Sequence, residues 1–411
     1  MLAPSSPDAQ NAKEPRLIEL RGGLGAVPGV SLTGVYAGIK KHKRDLALVV
    51  FEDGQNGVSV ITTNEIKAAP VIVSEEHLAA SPGKMRAIVC NSGCANACTG
   101  ERGELDARTT ARQAATLLGL AEKQIVVAST GVIGVPLPME RITQGLERAA
   151  KEIEQGAKAA YAAAEAIMTT DNEPKLASYA FHAGNKRYVV GGIAKGSGMI
   201  APNMATMLAF IATNAPMSRD ALARELREAT DASFNMISVD GDMSTNDAVY
   251  AFAPNGKGDA PAGFAEALRL VTHELAYAMV RDGEGATKTL SMTVSGARDE
   301  RQARTVARAI INSNLVKTAL HGEDPNWGRI IAAAGSVGAG LNPQTWSLYI
   351  GEKLWVDRGA LEVLSEAEAH AELEHKAVFV RLDLGIGDAG ATGWGCDLSS
   401  DYVRINAHYR T

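Results

Sequence analysis

Short apolar runs and helical segments alternate along almost the whole chain of 411 residues, and this alternation constrains the fold more than any other feature. Runs rich in valine and isoleucine predict strands, at 46–51, 58–62, 70–73, 87–90, 125–128, 188–193, 207–213, 346–350, 377–384 and 402–405. Amphipathic or alanine-rich segments predict helices, at 104–120, 140–167 with a break near Gly156, 218–232, 263–280, 301–320 and 362–374. Because the elements are interspersed, the sequence predicts an α/β or α+β protein.

Charge and hydropathy exclude two classes of partner. The chain has 41 Lys and Arg against 47 Asp and Glu, a net charge of −6, and no basic stripe with interleaved aromatic residues, which argues against nucleic acid. It has no run of about 18 apolar residues, so it predicts no membrane span. Residues 1–17 are polar and contain three prolines, so we expect a loose tail without a signal sequence.

Two parts of the sequence contain clustered residues of types that bind metals, namely the cysteines and the acidic segment 239–247. Cys90, Cys94 and Cys98 lie four residues apart, but no second cluster of cysteine or histidine ligands follows them. The aspartates of 239–247 resemble a calcium loop only loosely, because the glycine is misplaced and no closing glutamate follows. We therefore expect no metal site. We expect the cysteines to be buried or half-buried thiols in a reducing cytoplasm, and the segment 239–247 to be a turn with Asx hydrogen bonds.

The segment 195–210, KGSGMIAPNMATMLAF, is the strongest candidate for chemistry on physical grounds. A glycine loop that begins with Lys195 is followed by a Pro202-Asn203 turn, and Ala205-Thr206 opens an apolar strand. Threonine is a nucleophile when its own free α-amino group serves as the base, and that amine has a reference pKa of ~7.7–8.0. Exposing the amine requires a break in the chain before Thr206. The alternative is that Thr206 has no chemical role and is only an ordinary residue at the start of a strand.

Several long blocks, including 195–210, resemble the ornithine acetyltransferase family, the arginine-biosynthesis bifunctional glutamate N-acetyltransferases. Among them are TTNEIKAAPV at 62–71, STGVIG at 129–134, MTTDNEPK at 168–175 and VRDGEGATK at 280–288. Further blocks lie at 91–100, 239–247, 316–329 and 396–411. The resemblance spans nearly the whole chain after the tail, so it does not rest on one motif.

The resemblance implies both a fold and a processing event. The expected fold is a layered α-β-β-α sandwich-like catalytic domain over residues 18–285 and a smaller C-terminal α/β domain over 286–411, whose last residues return to the active site. Members of the family cut themselves between an alanine and a threonine, which correspond here to Ala205 and Thr206. The expected assembly is a heterotetramer with two copies of each cleaved chain, in the cytoplasm.

The resemblance also implies roles for individual residues. Thr206 would take an acetyl group from N2-acetylornithine and pass it to L-glutamate, giving ornithine and N-acetylglutamate. Thr130 and Gly131 match the oxyanion-hole pair, and a donor of this kind is worth about 10²–10³ in rate. The implied substrate contacts are Thr169, Lys195, Thr206, Glu284, Asn406 and Thr411. Lys195 suits the α-carboxylate of acetylornithine, and Glu284 suits its δ-amino group.

No cofactor is implied, and acetyl-CoA as a further donor is left open. An N-terminal-nucleophile hydrolase or aminopeptidase is the nearest alternative, because the same self-cleaving threonine serves if water accepts the acyl group. A non-catalytic binding module and a related enzyme of secondary metabolism are further alternatives. The sequence departs from residue types common in the family at Cys94, Asn172, Asn214 and Met243, and the departures at 172 and 243 leave the range of acyl donors open.

Overall fold

The computed structural model describes residues 17–200, 207–359 and 361–408, so the expected tail at 1–17 lies outside it except for Leu17. The strands in these ranges are β1 (Ile18–Glu19), β2 (Val30–Val35), β3 (Leu46–Ile61), β4 (Met85–Cys94), β5 (Ile125–Val132), β6 (Lys175–Ala183), β7 (Lys186–Lys195), β8 (Leu208–Thr213), β9 (Ile237–Ser238), β10 (Ala248–Pro254), β11 (Thr289–Ala297), β12 (Ser347–Ile350), β13 (Lys353–Asp357), β14 (Leu361–Glu362), β15 (Ala377–Asp383) and β16 (Ala389–Cys396).

The α-helices of the same ranges are α1 (Ala69–Ala80), α2 (Gly100–Leu118), α3 (Met139–Lys151), α4 (Ala157–Ala166), α5 (Arg219–Ala232), α6 (Phe264–Arg281), α7 (Glu300–Asn312), α8 (Asn314–His321), α9 (Trp327–Gly335), α10 (Glu366–Leu373) and α11 (Ser400–His408). Within the part of the chain that the structure describes, no helix has the length and apolar character needed to span a bilayer.

The strands form two sheets, which makes the protein a mixed α/β fold as predicted. A nine-stranded sheet has the order β1-β6-β7-β8-β10-β3-β4-β5, with β2 paired to β3. A seven-stranded sheet has the order β14-β13-β12-β15-β11-β16-β9. Because β9 belongs to the second sheet but precedes β10 in the chain, the two sheets interleave in sequence, and the expected division at residue 285 stays a prediction.

The long strand β3 joins two parts of the nine-stranded sheet. Residues 46–51 pair with β2 and β4, whereas residues 55–61 pair with β10. One core receives side chains from both parts, and the rings of Phe51 and Phe252 lie there with centroids 4.8 Å apart. A second core packs the sheet against α5 and α6, and a third packs it against α1, α2 and α3.

Strand β8, which begins just after Met207, is buried on both faces. Leu208 and Phe210 lie in the central core, while Ala209 and Ile211 lie in the core beneath α5 and α6. This alternation follows from the two-residue period of a strand. The prediction of an apolar strand at 207–213 is therefore confirmed, and its first residue is held rigidly beside the expected cleavage point.

Two predicted strands are wrong because they lie in helices. Residues 70–73 belong to α1, where Pro70 occupies the first turn, a position at which its missing N–H costs nothing. Residues 402–405 belong to α11. Both runs have only four residues, and periodicity over so short a run does not distinguish a strand from one face of a helix.

Three other predictions need correction at their boundaries. The predicted helix 301–320 is two helices, because the chain leaves helical geometry at Ser313, whose hydroxyl caps α8. The predicted strands 46–51 and 58–62 are parts of the single strand β3. The predicted strand 87–90 is part of the longer strand β4, which includes residues 91–94. The predicted helix 104–120 corresponds to α2, which begins at Gly100.

Candidate active site

A cavity of about 260 Å³ lies at the ends of β5 and β7. Six of the nine predicted site residues line it, namely Thr130, Gly131, Thr169, Lys195, Glu284 and Asn406. They come from β5, from the loop before β6, from the end of β7, from the loop after α6 and from α11. The other three, Ala205, Thr206 and Thr411, lie outside the described residues.

Glycine is required at position 131 by the backbone geometry. Gly131 has a φ of 128°, which L side chains rarely adopt. It lies opposite Gly93 in the neighbouring strand β4, and a Cβ at 131 would stand 2.4 Å from the carbonyl carbon of Gly93. The register of β4 shifts at Gly93–Cys94, a bulge of the kind common beside active sites. The backbone of the predicted oxyanion pair is thus placed against the cavity without a covering side chain.

A buried ion network adjoins Thr169 and Lys195, two of the residues that line the cavity, and we call its three residues, Asp171, Lys175 and Asp282, the paired wall. The ammonium group of Lys175 lies 2.8 Å from Asp171 Oδ1 and 2.6 Å from Asp282 Oδ2. Asp171 Oδ2 accepts a hydrogen bond from the backbone N–H of Thr169 at 3.1 Å and lies 4.0 Å from Lys195 Nζ. Every charge of the wall therefore has a partner of opposite sign.

The paired wall fixes the ionisation of Asp171. Burial by itself raises the pKa of this carboxyl, but the charges of Lys195 and Lys175, with hydrogen bonds from Lys175 and the N–H of Gly196, outweigh burial and hold the pKa far below its usual range. Asp171 is consequently a carboxylate at neutral pH.

Glu284 is held in the cavity by contacts on both its backbone and its side chain. Its N–H donates to the Ser197 carbonyl at 2.8 Å, and its Oε2 accepts from Asn406 Nδ2 at 2.7 Å. A Cβ on Gly198 would stand 2.4 Å from the Glu284 carboxylate, so position 198 must be glycine for this approach. The glycine loop and α11 therefore set the place of the acidic group.

Two other aspartates are Asp240, which lines the cavity, and Asp247, which is fully buried, and we call them the unpaired wall. Asp240 accepts hydrogen bonds from the N–H groups of Met199 at 2.6 Å and Ile200 at 2.7 Å. Asp247 Oδ1 accepts from the N–H of Met207 at 2.9 Å, and within the described residues its Oδ2 has no hydrogen-bond partner. The two side chains thus hold both flanks of the segment that contains the expected cleavage point.

The unpaired wall differs from the paired wall in its electrostatics. Across residues 17–200, 207–359 and 361–408, neither aspartate has a cationic side chain within 4.0 Å. Burial raises the pKa of Asp240 and raises the pKa of Asp247 well above its usual value, although backbone hydrogen bonds oppose the shift in both.

Comparisons with known proteins identify the family to which this chain belongs. The model of the ArgJ family matches residues 31–411. An arginine biosynthesis bifunctional protein ArgJ of Caldanaerobacter subterraneus is 46% identical over 396 residues, which are 93% of this chain and 97% of the relative. The protein of the same name from Symbiobacterium thermophilum is 47% identical over 406 residues, 95% of this chain and 99% of the relative. The chain belongs to the ArgJ family.

Solved structures with similar chains carry related names. A chain of the arginine biosynthesis bifunctional protein ArgJ of Bacillus halodurans is 41% identical and covers 46% of this chain and 99% of its own length, with a TM-score of 0.45. A chain of ornithine acetyltransferase from Mycobacterium tuberculosis, solved in complex with ornithine, is 40% identical and covers 46% of this chain and 98% of its own, with a TM-score of 0.42.

Sequence reasoning missed most of the charged residues that support the ArgJ-family site. Asp171 and Lys175 lie in the block 168–175 and Asp282 lies in the block 280–288, but their pairing across 107 residues has no signal in one sequence. The aspartates of 240–247 were assigned to a turn. That turn is confirmed, because Asp240 Oδ1 accepts from the N–H of Asp242 at 3.3 Å, yet the same side chain also anchors the cleavage segment.

Neither the thiols nor the candidate metal ligands of the described residues line the cavity. Cys90 and Cys94 are buried as expected, whereas Cys98 is exposed, which corrects that part of the prediction. One group in the described part of the chain has ligand atoms close enough to share an ion, and it consists of Glu323, His370 and Glu374. Glu323 already pairs with Lys288 at 2.7 Å, and none of the three lines the cavity.

Proposed function

We propose that this ArgJ-family chain transfers the acetyl group of N2-acetylornithine to L-glutamate, giving ornithine and N-acetylglutamate. The observation that carries the proposal is the convergence of six predicted residues, from five separate segments of the chain, on one cavity beside Met207. A cavity of about 260 Å³ suits an amino-acid derivative rather than a polymer. Membership of a family whose relatives are named for arginine biosynthesis supports the same substrate class.

The enzyme first cuts itself between Ala205 and Thr206. The hydroxyl of Thr206 attacks the carbonyl of Ala205, the peptide C–N bond breaks, and an ester joins the two residues. The α-amino group of Thr206 becomes free in this step. Water then hydrolyses the ester, which restores the Thr206 hydroxyl and leaves a carboxylate on Ala205. The products are the chains 1–205 and 206–411, and the second carries nucleophile and base in one residue.

The transfer then proceeds through an acetyl ester of Thr206. The free amine takes the hydroxyl proton while the oxygen attacks the acetyl carbonyl of acetylornithine, and the proton passes to the leaving α-amine of ornithine. The hydroxyl of Thr130 and the N–H of Gly131 donate hydrogen bonds to the negative oxygen of the tetrahedral intermediate. The amine of glutamate attacks the ester by the reverse sequence and regenerates Thr206.

Lys195 and Glu284 select the substrate by charge. Lys195 binds the α-carboxylate that acetylornithine and glutamate share, and Glu284 binds the δ-ammonium group of ornithine. Both side chains line the cavity and are largely buried, so each ionic contact with the substrate forms away from bulk water. Thr169, Asn406 and Thr411 complete the substrate contacts.

The proposal extends to the form of the enzyme. The three cores of the nine-stranded sheet, with helices on either side of a central strand core, support the layered α-β-β-α sandwich. The cleaved chains assemble as a heterotetramer with two copies of each and act in the cytoplasm. No cofactor takes part, and acetyl-CoA as a second donor agrees with the word bifunctional in the relatives' name.

Two assays on the purified protein test the proposal. N-terminal sequencing of the smaller bands should read Thr-Met-Leu-Ala, and Thr206→Ala should remain one full-length chain. Ornithine release from acetylornithine should require glutamate and yield an equal amount of N-acetylglutamate. Release at the same rate without glutamate would identify a hydrolase instead, and a full-length, fully active Thr206→Ala variant would leave only a binding role. Acetyl-CoA with glutamate tests the second donor in the same format.

A further inference from the structure

We propose that Asp171 is a positioning residue that holds the ammonium group of Lys195 in the place that receives the substrate carboxylate. The inference rests on the proposed function, because that function supplies the carboxylate, but it concerns a residue that makes no proposed contact with substrate. Asp171 is itself held by Lys175, and through Lys175 by Asp282. The paired wall is therefore part of the substrate-binding machinery in addition to its place in the core.

The contacts of Asp171 connect two pocket segments through one carboxylate. Oδ1 accepts from Lys175 Nζ at 2.8 Å and from the N–H of Gly196 at 2.7 Å. Oδ2 accepts from the N–H of Thr169 at 3.1 Å and lies 4.0 Å from Lys195 Nζ. Thr169 and Lys195 are both proposed substrate contacts, so a rotation of this one side chain would displace both.

The network continues through Lys175 to the third proposed contact. Asp282 receives Lys175 Nζ at 2.6 Å and accepts hydrogen bonds from the backbone N–H of Asn172 at 3.0 Å and from its Nδ2 at 2.8 Å. It lies two residues before Glu284, at the end of α6. The loop before β6, the end of β7 and the end of α6 are thus joined by ionic contacts that exclude water.

The distance between Asp171 and Lys195 is the feature that points to binding rather than to packing alone. At 4.0 Å the two charges attract one another, but the ammonium group is too far away for a hydrogen bond. Within the ranges the structure covers, the Lys195 ammonium group makes no hydrogen bond, although the side chain is only 3% exposed. Asp171 therefore attracts the ammonium group without accepting a hydrogen bond from it. The three N–H donors of Lys195 are then able to donate to a substrate carboxylate.

The charge balance of the network shows how to separate positioning from stability. Lys175 and Lys195 carry two positive charges, Asp171 and Asp282 carry two negative charges, and the four side chains are between 0% and 4% exposed. Asp171→Asn leaves one positive charge in excess. Adding Lys175→Met removes that excess, so the network again carries one positive and one negative charge, and Asp282 keeps its hydrogen bonds from Asn172. Buried charges are tolerated when they are compensated, so the double variant should regain stability.

Steady-state kinetics of Asp171→Asn and of Asp171→Asn with Lys175→Met, beside thermal unfolding, test the proposal. We expect both variants to raise KM for acetylornithine and for glutamate about 10-fold or more, because the Lys195 ammonium group, a charged hydrogen-bond partner of the substrate, is misplaced. We expect kcat to stay within a few-fold of the wild-type value. We expect only the single variant to lose thermal stability. Asp106→Asn is the matched control, because Asp106 is buried and its carboxylate pairs with Arg102 at 3.0 Å, which is not a proposed substrate contact; it should leave both KM values unchanged.

The outcomes distinguish this inference from the function on which it rests. If the wild-type enzyme transfers acetyl groups and KM returns to the wild-type value when the double variant regains stability, Asp171 is only structural and the proposal is overturned. An unchanged KM in the single variant has the same meaning. If wild-type protein releases no ornithine in the presence of glutamate, the proposed function itself fails. Where the single variant does not fold, the double variant alone decides, through a raised or an unchanged KM.

Discussion

The two acidic walls of the cavity have similar burial but opposite electrostatics. On the paired wall, Asp171 is 2% exposed and has two lysines as neighbours. On the unpaired wall, Asp247 is fully buried, and in the described structure no cation lies within 4.0 Å of it. Burial raises the pKa of both carboxyls, yet lysine charges reverse the shift only for Asp171. The identity of the neighbours, and not depth alone, decides whether a buried aspartate is charged.

This difference matches the different tasks of the two walls. A fixed carboxylate suits the paired wall, because in our proposal it directs a lysine toward substrate in every turnover. A carboxyl with a raised pKa suits the unpaired wall, because the proposed processing would create an amine on Thr206 and so change the charge of that segment. Asp247 accepts a hydrogen bond from the N–H of Met207, the residue that follows Thr206 in the sequence.

Removing a cation from the paired wall should give the largest effect on stability. Lys175→Met removes the cation that contacts both buried carboxylates, and we expect a loss of about 3–5 kcal/mol in the free energy of unfolding. Lys353→Met is the control, since Lys353 pairs with Glu372 at 2.8 Å on the surface, where such a pair contributes little to stability. Urea denaturation of both variants measures the difference. Equal losses would show that the buried network has no special weight.

Thr130→Ala should have the largest effect on turnover. It should sharpen the comparison, because the walls are proposed to support substrate binding whereas Thr130 of β5 is proposed to act in the acetyl-transfer step. We expect kcat to fall about 10²–10³-fold with little change in KM, because the donor acts on charge that develops in the transition state. Thr130→Ser keeps the hydroxyl and should retain most of the activity. A change confined to KM would remove Thr130 from the oxyanion hole.

The pH dependence of stability should have opposite signs for the two walls. The pKa of Asp171 is lowered in the fold, so its contribution is present above the unfolded value of ~3.9 and is lost as the pH falls below it. The pKa of Asp247 is raised, so the folded chain holds more protons above pH ~3.9 and stability falls as the pH rises. The free energy of unfolding is measured from pH 3 upward for wild type, Asp171→Asn and Asp247→Asn. The difference between wild type and Asp171→Asn and the difference between wild type and Asp247→Asn should therefore change with pH in opposite directions. Parallel curves would contradict the distinction.

Helix α11 joins Glu284 to the unpaired wall, and loss of its hydrogen bond to Glu284 should have the smallest effect. Asn406 Nδ2 donates to Glu284 at 2.7 Å, while Tyr402 OH donates to Asp240 at 3.2 Å. We expect Asn406→Ala to raise KM for acetylornithine several-fold, since one hydrogen bond to a carboxylate is lost. Val403→Ala, on the exposed side of the same helix, is the control and should leave KM unchanged. An equal change in both variants would assign the effect to helix stability.

How much of the fold was predictable depended on whether local patterns were decisive. The helices α3, α4, α5 and α6 were predicted because their caps and breaks are local, such as Ser218 and Gly156. Strands β6, β10, β11 and β16 were not predicted. Runs such as 389–396, AGATGWGC, have little apolar alternation, and they become strands because β11 supplies hydrogen-bond partners from a distant part of the chain. Long-range pairing of this kind is not visible in one sequence.

The site was predictable in its contacts but not in its supports. The expected site residues were found through family blocks, and six of the nine line one cavity. Asp171 and Asp282 were not singled out, and Asp247 was assigned only to a turn, because their roles depend on burial and on partners about a hundred residues away or in another loop. A carboxylate that is paired and one that is unpaired look the same in a sequence, and only the fold separates them.

The covalent intermediate tests the central claim most directly. Cleaved enzyme mixed with acetylornithine in the absence of glutamate should carry one acetyl group on the peptide that begins at Thr206, as detected by mass spectrometry of a protease digest. Adding glutamate should remove that group and produce N-acetylglutamate in equal amount. An enzyme that turns over with both substrates present but never carries the acetyl group, and that gives intersecting rather than parallel double-reciprocal plots, would contradict the account, because the transfer would then be direct and Thr206 would act in processing alone.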